Sequence, residues 1–160
     1  MSSFSAELPG DLWRNWIIHS TALLNSYRDR TGRELIERGG DSKLDAERLL
    51  GAPFVVVSHG VEADPILNYG NRVALALWEM SAAELIRTPS RLTAEPMLRE
   101  ARERLLAQTT REGFVSGYEG VRISAKGRRF HISNATIWNI TDGAGKPAGQ
   151  AATFARWTFL

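Results

Sequence analysis

Three histidines, His19, His59 and His131, are the side chains best suited to proton transfer or metal ligation near neutral pH. They are widely separated in sequence and no carboxylate spacing joins them into a metal motif. His59 follows the apolar run Val55-Val56-Val57-Ser58 and precedes Gly60, at the end of a buried strand. There it can ligate a haem, act as acid or base, or bond the turn backbone, the last being the commonest role. His19 shares a helical face with Leu12, Trp16 and Leu23 and reads as a histidine satisfied within an interface. Glu62 and Asp64 lie in a polar turn, which explains them more simply than paired acid–base chemistry. Thr93 reads as a helix cap, with Arg91 beside it able to help hold an anion at the helix start.

A second constellation lies on the strand over residues 128–141. One alternating face reads Phe130, Ile132, Asn134, Thr136, Trp138 and Ile140, and is the better core face. His131 falls on the opposite, more polar face, with Arg129, Ser133 and Asn139. A buried Asn134 or Thr136 needs a partner, from neighbouring backbone or from a ligand, because an unpaired polar group costs about 1–3 kcal/mol. The last strand offers small residues, Gly149, Ala151, Thr153 and Ala155, which would leave room above the sheet or admit a close-packed helix. Trp78 and Trp138 are the indoles best placed to stack on a planar ligand, and Asn68 and Tyr69 end a strand near the same cleft. The candidate ligand-binding set is therefore His59, Asn68, Tyr69, Trp78, Asn134, Thr136, Trp138 and Thr153. No residue is assigned a catalytic or metal-ligating role. No glycine-rich dinucleotide loop, P-loop or nucleophile elbow occurs.

The elements that must position these residues are legible. Leu12, Trp13, Trp16, Ile17, Leu23, Leu24 and Tyr27 recur at helical spacing, with Asp11 as cap and Gly32 as stop, predicting a helix to about residue 30. Thr31-Gly32-Arg33-Glu34 fits a capping box and predicts a further short turn through 37. A helix follows over 42–50. The β-branched run 54–58 and its partner 66–69 form a hairpin. Asn71 caps a helix over 72–80, Ser81 and Glu84 open a short one, and a longer helix spans 94–111. Three strands close the chain, over 114–124, 128–141 and 147–159. Residues 1–52 thus read as a helical extension, and 53–160 as the domain with which it forms one compact unit.

Length and composition allow one globular domain: 160 residues, 43% hydrophobic and 24% charged. No apolar run approaches a bilayer span, and residues 1–7 lack the pattern of a secretory signal, so a cytoplasmic protein is expected. The absence of cysteine excludes disulfides, thiolate catalysis and cysteine-ligated metals. The net charge is +2, its surplus gathered around Arg122, Lys126, Arg128 and Arg129. That is too sparse for a nucleic-acid footprint.

Several short strings in order resemble bacterial stand-alone proteins of the MEKHLA domain family. They are Ser26-Tyr27-Arg28-Asp29-Arg30-Thr31-Gly32-Arg33-Glu34-Leu35, Pro53-Phe54-Val55-Val56-Val57-Ser58-His59-Gly60, Pro65-Ile66-Leu67-Asn68-Tyr69-Gly70-Asn71, Leu77-Trp78-Glu79-Met80 and Ser90-Arg91-Leu92-Thr93-Ala94-Glu95-Pro96. The resemblance implies a PAS-like fold with a sensory or regulatory role, and brings no catalytic site. A related domain ends plant class III homeodomain–leucine zipper proteins, but no homeodomain or zipper occurs here. The fold expected is α+β: a PAS-like five-stranded antiparallel sheet, short helices on one face, and an N-terminal helical extension. The function expected is a small-molecule-sensing or regulatory binding module without a built-in effector. The alternatives are a module for dimerisation or protein interaction, motivated by the tryptophan-rich first helix, and a small cone-shaped isomerase or hydratase with His59 or Asp64 as base. The expected partners are a small-molecule ligand and a second copy through that helix. The cofactor is undetermined: non-covalent flavin or haem stays open, whereas a cysteinyl-flavin adduct is excluded.

Overall fold

The computed structural model describes residues 8–160. Residues 1–7, on which the secretory-signal reading rests, lie outside the described residues. The first helix, α1 (Gly10–Thr31), ends where Gly32 takes φ 76° and its N–H donates to the Arg28 carbonyl at 2.8 Å. Its buried side chains Trp13, Trp16, Ser20, Leu23, Leu24 and Tyr27 form one face. Asp11 is not the cap; it lies inside the first turn and pairs with Arg14. The further turn expected over 31–37 does not form a helix. The Thr31 hydroxyl donates back to the Tyr27 carbonyl at 2.7 Å and accepts from the Arg33 N–H at 3.2 Å, closing α1 rather than opening a new helix. Asp41 then caps α2 (Ser42–Leu50).

Strands β1 (Val55–His59) and β2 (Leu67–Gly70) form the first hairpin. Two short helices follow, α3 (Arg72–Trp78) and α4 (Ala82–Leu85), the second opened by the Ser81–Glu84 capping box. The helix expected from 94 starts later, as α5 (Arg99–Glu112), after 3-10 turns at Ser90–Thr93 and Pro96–Leu98. Pro96 forces Glu95 into extended backbone (ψ 152°), which breaks the helix before it can begin. Thr93 is therefore not its cap: its hydroxyl donates to the Ser90 carbonyl at 2.8 Å, while Arg91 pairs with Asp64 at 3.2 Å.

The last strands are β3 (Phe114–Ile123), β4 (Arg129–Thr141), β5 (Pro147–Phe154) and β6 (Arg156–Phe159). The antiparallel sheet runs β2-β1-β5-β4-β3, with β6 also paired to β4, so β1 lies beside β5 at the centre. It has six strands rather than five because the run 147–159 breaks at Ala155.

Both faces of the sheet are covered. Helices α1 and α2 pack on one face, over Val56, Tyr69, Trp138, Ile140 and Ala151. Helices α3, α4 and α5 cover the other, over Val55, Val57, Phe130, Ile132, Ala135, Ile137 and Phe154. Strand β4 feeds both cores by a shift of its pleat. Phe130 and Ile132 face α3–α5, and so do Ala135 and Ile137, whereas Trp138 and Ile140 face α1. The step occurs at Asn134, which holds φ 54°. The single core face read from alternation is therefore two half-faces. Asn134 is exposed and Thr136 half-buried, so neither presents a polar group to a closed core.

Candidate functional site

A small cavity of about 70 Å³ lies between the sheet and helices α3 and α5. Trp78 closes one side, edge-on to Phe130 at 5.3 Å and Phe154 at 6.2 Å. Its indole Nε1 is buried and has no hydrogen-bond partner among the described residues. His59 enters from the end of β1. A Cβ on Gly149 would lie 1.9 Å from the His59 carbonyl oxygen, so only glycine, here at φ 123°, lets β5 approach this closely. The imidazole Nδ1 donates to the Gly60 carbonyl at 3.0 Å, which leaves Nε2 buried and, among the described residues, unpartnered. Burial chiefly lowers the His59 pKa, the Gly60 bond opposes it, and Arg102 adds a further lowering.

Arg102 and Arg122 line the same cavity and are 7% and 9% exposed. Arg102 donates to the Ser90 hydroxyl, and Arg122 to the Val121 carbonyl at 2.9 Å and the Tyr118 hydroxyl at 3.4 Å. Neither forms an ion pair among the described residues, and no carboxylate lines the cavity. Burial first, and then the positive charge of Arg122, push the Arg102 pKa down to about 10. Gln150 completes the polar lining, its two amide N–H groups shared among the Leu106 carbonyl, the Thr110 hydroxyl and the Asn139 side-chain carbonyl, each 3.0 Å from Nε2.

The sequence-derived candidates separate into distinct places. His59 and Trp78 line this cavity. Tyr69 and Trp138 are buried on the opposite face: Tyr69 packs at a tilt against Trp16, with ring centroids 4.7 Å apart, and Trp138 meets Tyr27 edge-on at 4.9 Å. Burial raises the Tyr69 phenol pKa strongly, with the Ser20 hydroxyl opposing. Asn68 borders a wide groove along α1, where its side-chain carbonyl accepts from Ser58 at 2.5 Å. Asn134, Thr136 and Thr153 border a third, shallow depression beside Arg33 and Leu35. The Thr153 hydroxyl donates to the Val55 carbonyl at 2.8 Å, the backbone partner open to such a residue. Asp64 is exposed and paired to Arg91, so it does not join His59.

Arg102 and Arg122 were missed, yet both carry a signal. Arg102 sits in helical register with the buried Leu105 and Thr109, a charge within an otherwise inward-facing stripe. Arg122 pairs directly with Phe130 across β3 and β4, and residues opposite one another share a face. That second signal requires the strand register.

The family model of the MEKHLA domain matches residues 17–159. The chain belongs to the MEKHLA domain family. No curated protein matches the sequence. Solved structures share the fold of this MEKHLA domain. A PAS domain of a protein from Colwellia psychrerythraea is 15% identical with TM-score 0.60, over 74% of this chain and 95% of that one. A light-oxygen-voltage domain studied with a flavin analogue is 14% identical with TM-score 0.56, over 72% and 83%. A PAS domain of a LuxR-family transcriptional regulator from Burkholderia thailandensis, in complex with ethanol, is 17% identical with TM-score 0.52, over 71% and 94%. The MEKHLA domain thus has the PAS architecture expected, with short helices on one sheet face and the N-terminal helix on the other.

A flavin or haem does not fit the inner cavity. Pockets for drug-sized ligands span about 300–1,000 Å³, against about 70 Å³ here. The chain also has no cysteine for a flavin adduct.

Proposed function

We propose that this MEKHLA domain is a sensing or regulatory module whose small-molecule ligand occupies the cavity between the sheet and helices α3 and α5. The observation that carries the reading is the pair of unpartnered buried polar atoms, His59 Nε2 and Trp78 Nε1, on residues that line this cavity. Each orphaned group costs about 1–3 kcal/mol, which a bound ligand would offset. The PAS domain in complex with ethanol lends support, being a structural relative in complex with a comparably small molecule. Native mass spectrometry of the purified chain tests the reading, together with melting across a metabolite panel. A retained mass or a ligand-dependent rise in melting temperature is expected. A bare chain that melts unchanged throughout would end it.

A homodimer through α1 is a second reading. The tryptophan stripe that first suggested it is buried against the chain's own sheet, but Ile18 remains 72% exposed beside Leu12 and Ile17. Light scattering at high concentration tests it, and a monomer would remove it.

A further inference from the structure

The geometry points to a small oxyanion, a carboxylate or phosphate of acetate-to-phosphate size, held in the inner cavity between Arg102 and Arg122. This inference rests on the ligand-binding reading above and gives that ligand its charge class. Removing a guanidinium from water costs several kcal/mol unless an anion answers it. Two such groups, more than nine-tenths buried, line one cavity. Their hydrogen-bond partners are a serine hydroxyl, a backbone carbonyl and a tyrosine hydroxyl. None of these is charged. Each guanidinium carries five donors, so several N–H groups remain for a ligand.

Elsewhere in the chain the contrast is plain: Arg38, at 21% side-chain exposure, has Glu34 and Asp45, and Arg129 has Glu95 at 2.8 Å. Half-buried Arg38 and exposed Arg129 each reach a carboxylate within ion-pair distance; Arg102 and Arg122, more deeply buried, have no such ion pair among the described residues, and Glu103 acts on Arg102 only from outside the cavity lining. Size narrows the class further. A cavity of about 70 Å³ has room for several waters, which suits a ligand of acetate-to-phosphate size and falls well short of the roughly 300 Å³ lower end for drug-sized ligands. His59 Nε2 adds a buried partner for a hydroxyl or acidic proton on the ligand, since its Nδ1 is committed to Gly60.

The test is calorimetry and thermal melting of the full chain with sodium acetate, sodium phosphate, sodium chloride and ethanol, at matched ionic strength. Acetate or phosphate is expected to bind saturably and raise the melting temperature, with chloride inert. The acetate and phosphate arms tell carboxylate from phosphate. Arg122→Gln is expected to weaken binding by at least about 30-fold, the loss typical of truncating one partner of a buried charge pair. Arg102→Met is expected to abolish binding while the ligand-free chain melts no lower than before, because an uncompensated cation has been removed. If Arg102→Met does not fold, Arg122→Gln carries the test alone. No saturable response to either oxyanion, or a folded variant that binds as tightly as the parent, overturns the assignment. A response to ethanol without one to oxyanions overturns it too, but leaves the ligand-binding reading standing. No response to any solute, with no mass retained in the native spectrum, overturns both.

Discussion

The Nε2 of His19 lies 2.9 Å from the Oγ of Ser58, and that contact joins helix α1 to the central strand β1. Ser58 in turn donates to the Asn68 side chain at 2.5 Å, so one polar chain runs from the helix through β1 to β2. It lies beside the Tyr69 ring, in a largely apolar layer. Burial holds the His19 imidazole down at about 4, from an ordinary value of 6.5.

Acid should therefore destabilise the fold through this residue. The unfolded chain binds the proton more readily than the folded one, so stability is fully present above about pH 6.5 and is lost as pH falls towards 4. The contribution is on the order of 3 kcal/mol. His59 is shifted in the same direction and adds to the slope. Melting temperature should fall between pH 7 and pH 4.5, by about the range such proton linkage allows, and His19→Gln should flatten the fall. A parent chain with level melting across that window would contradict this.

Asn71 should be a large single contributor to stability. It is fully buried, accepts from the Val56 and Ala74 N–H groups at 3.1 and 3.2 Å, and donates to the Leu49 and Phe54 carbonyls at 3.2 and 2.8 Å. One amide thus joins α2, β1 and α3. Asn71→Ala should cost at least about 3 kcal/mol, since it orphans several buried groups at once. Asn71→Ser should recover only the cap on α3, about 1 kcal/mol. Urea denaturation measures both, and near-equal stability of parent and alanine variant would refute the account.

The pleat shift at Asn134 makes a prediction of opposite sign for two substitutions. Its φ of 54° is tolerated by asparagine, favoured by glycine and opposed by β-branched residues. Asn134→Gly should leave stability within about 0.5 kcal/mol, or raise it, while Asn134→Val should cost about 1–3 kcal/mol. Guanidinium titrations of the two variants decide it. Equal midpoints would mean that the strand does not depend on this conformation.

Removing residues 1–31 should abolish cooperative folding. Helix α1 covers Tyr69 and Trp138 with Trp16 and Tyr27, and its loss would expose a whole sheet face. Circular dichroism during heating should show no cooperative transition. A truncated chain with a sharp melt near the parent's would separate the helix from the domain.

Much of the fold was legible because its signals are local. The α1 stripe from Trp13 to Tyr27, the Asn71 cap and the Ser81–Glu84 box each lie within a turn or two of chain. The boundaries that failed were also local, but depended on competition. Thr31 had two possible partners and took the Tyr27 carbonyl, and Pro96 overrode the apparent start of the long helix.

The site was less legible, because its membership depends on which way side chains face. Strict alternation placed Asn134, Thr136 and Trp138 together on one inner face with Phe130; a single positive φ in mid-strand separated them. His59, singled out at a strand end, and Trp78, singled out as an indole able to stack on a ligand, lie together along one cavity, whereas Trp138 lies on the opposite face. By itself the sequence determined the elements, their order and the family, since periodicity, caps and turns are properties of neighbouring residues. Only the tertiary structure decided which core each strand residue enters and that Arg102 and Arg122, on different elements, line one cavity without a carboxylate. Charge pairing and burial are set by groups far apart in the chain, and no local pattern records them.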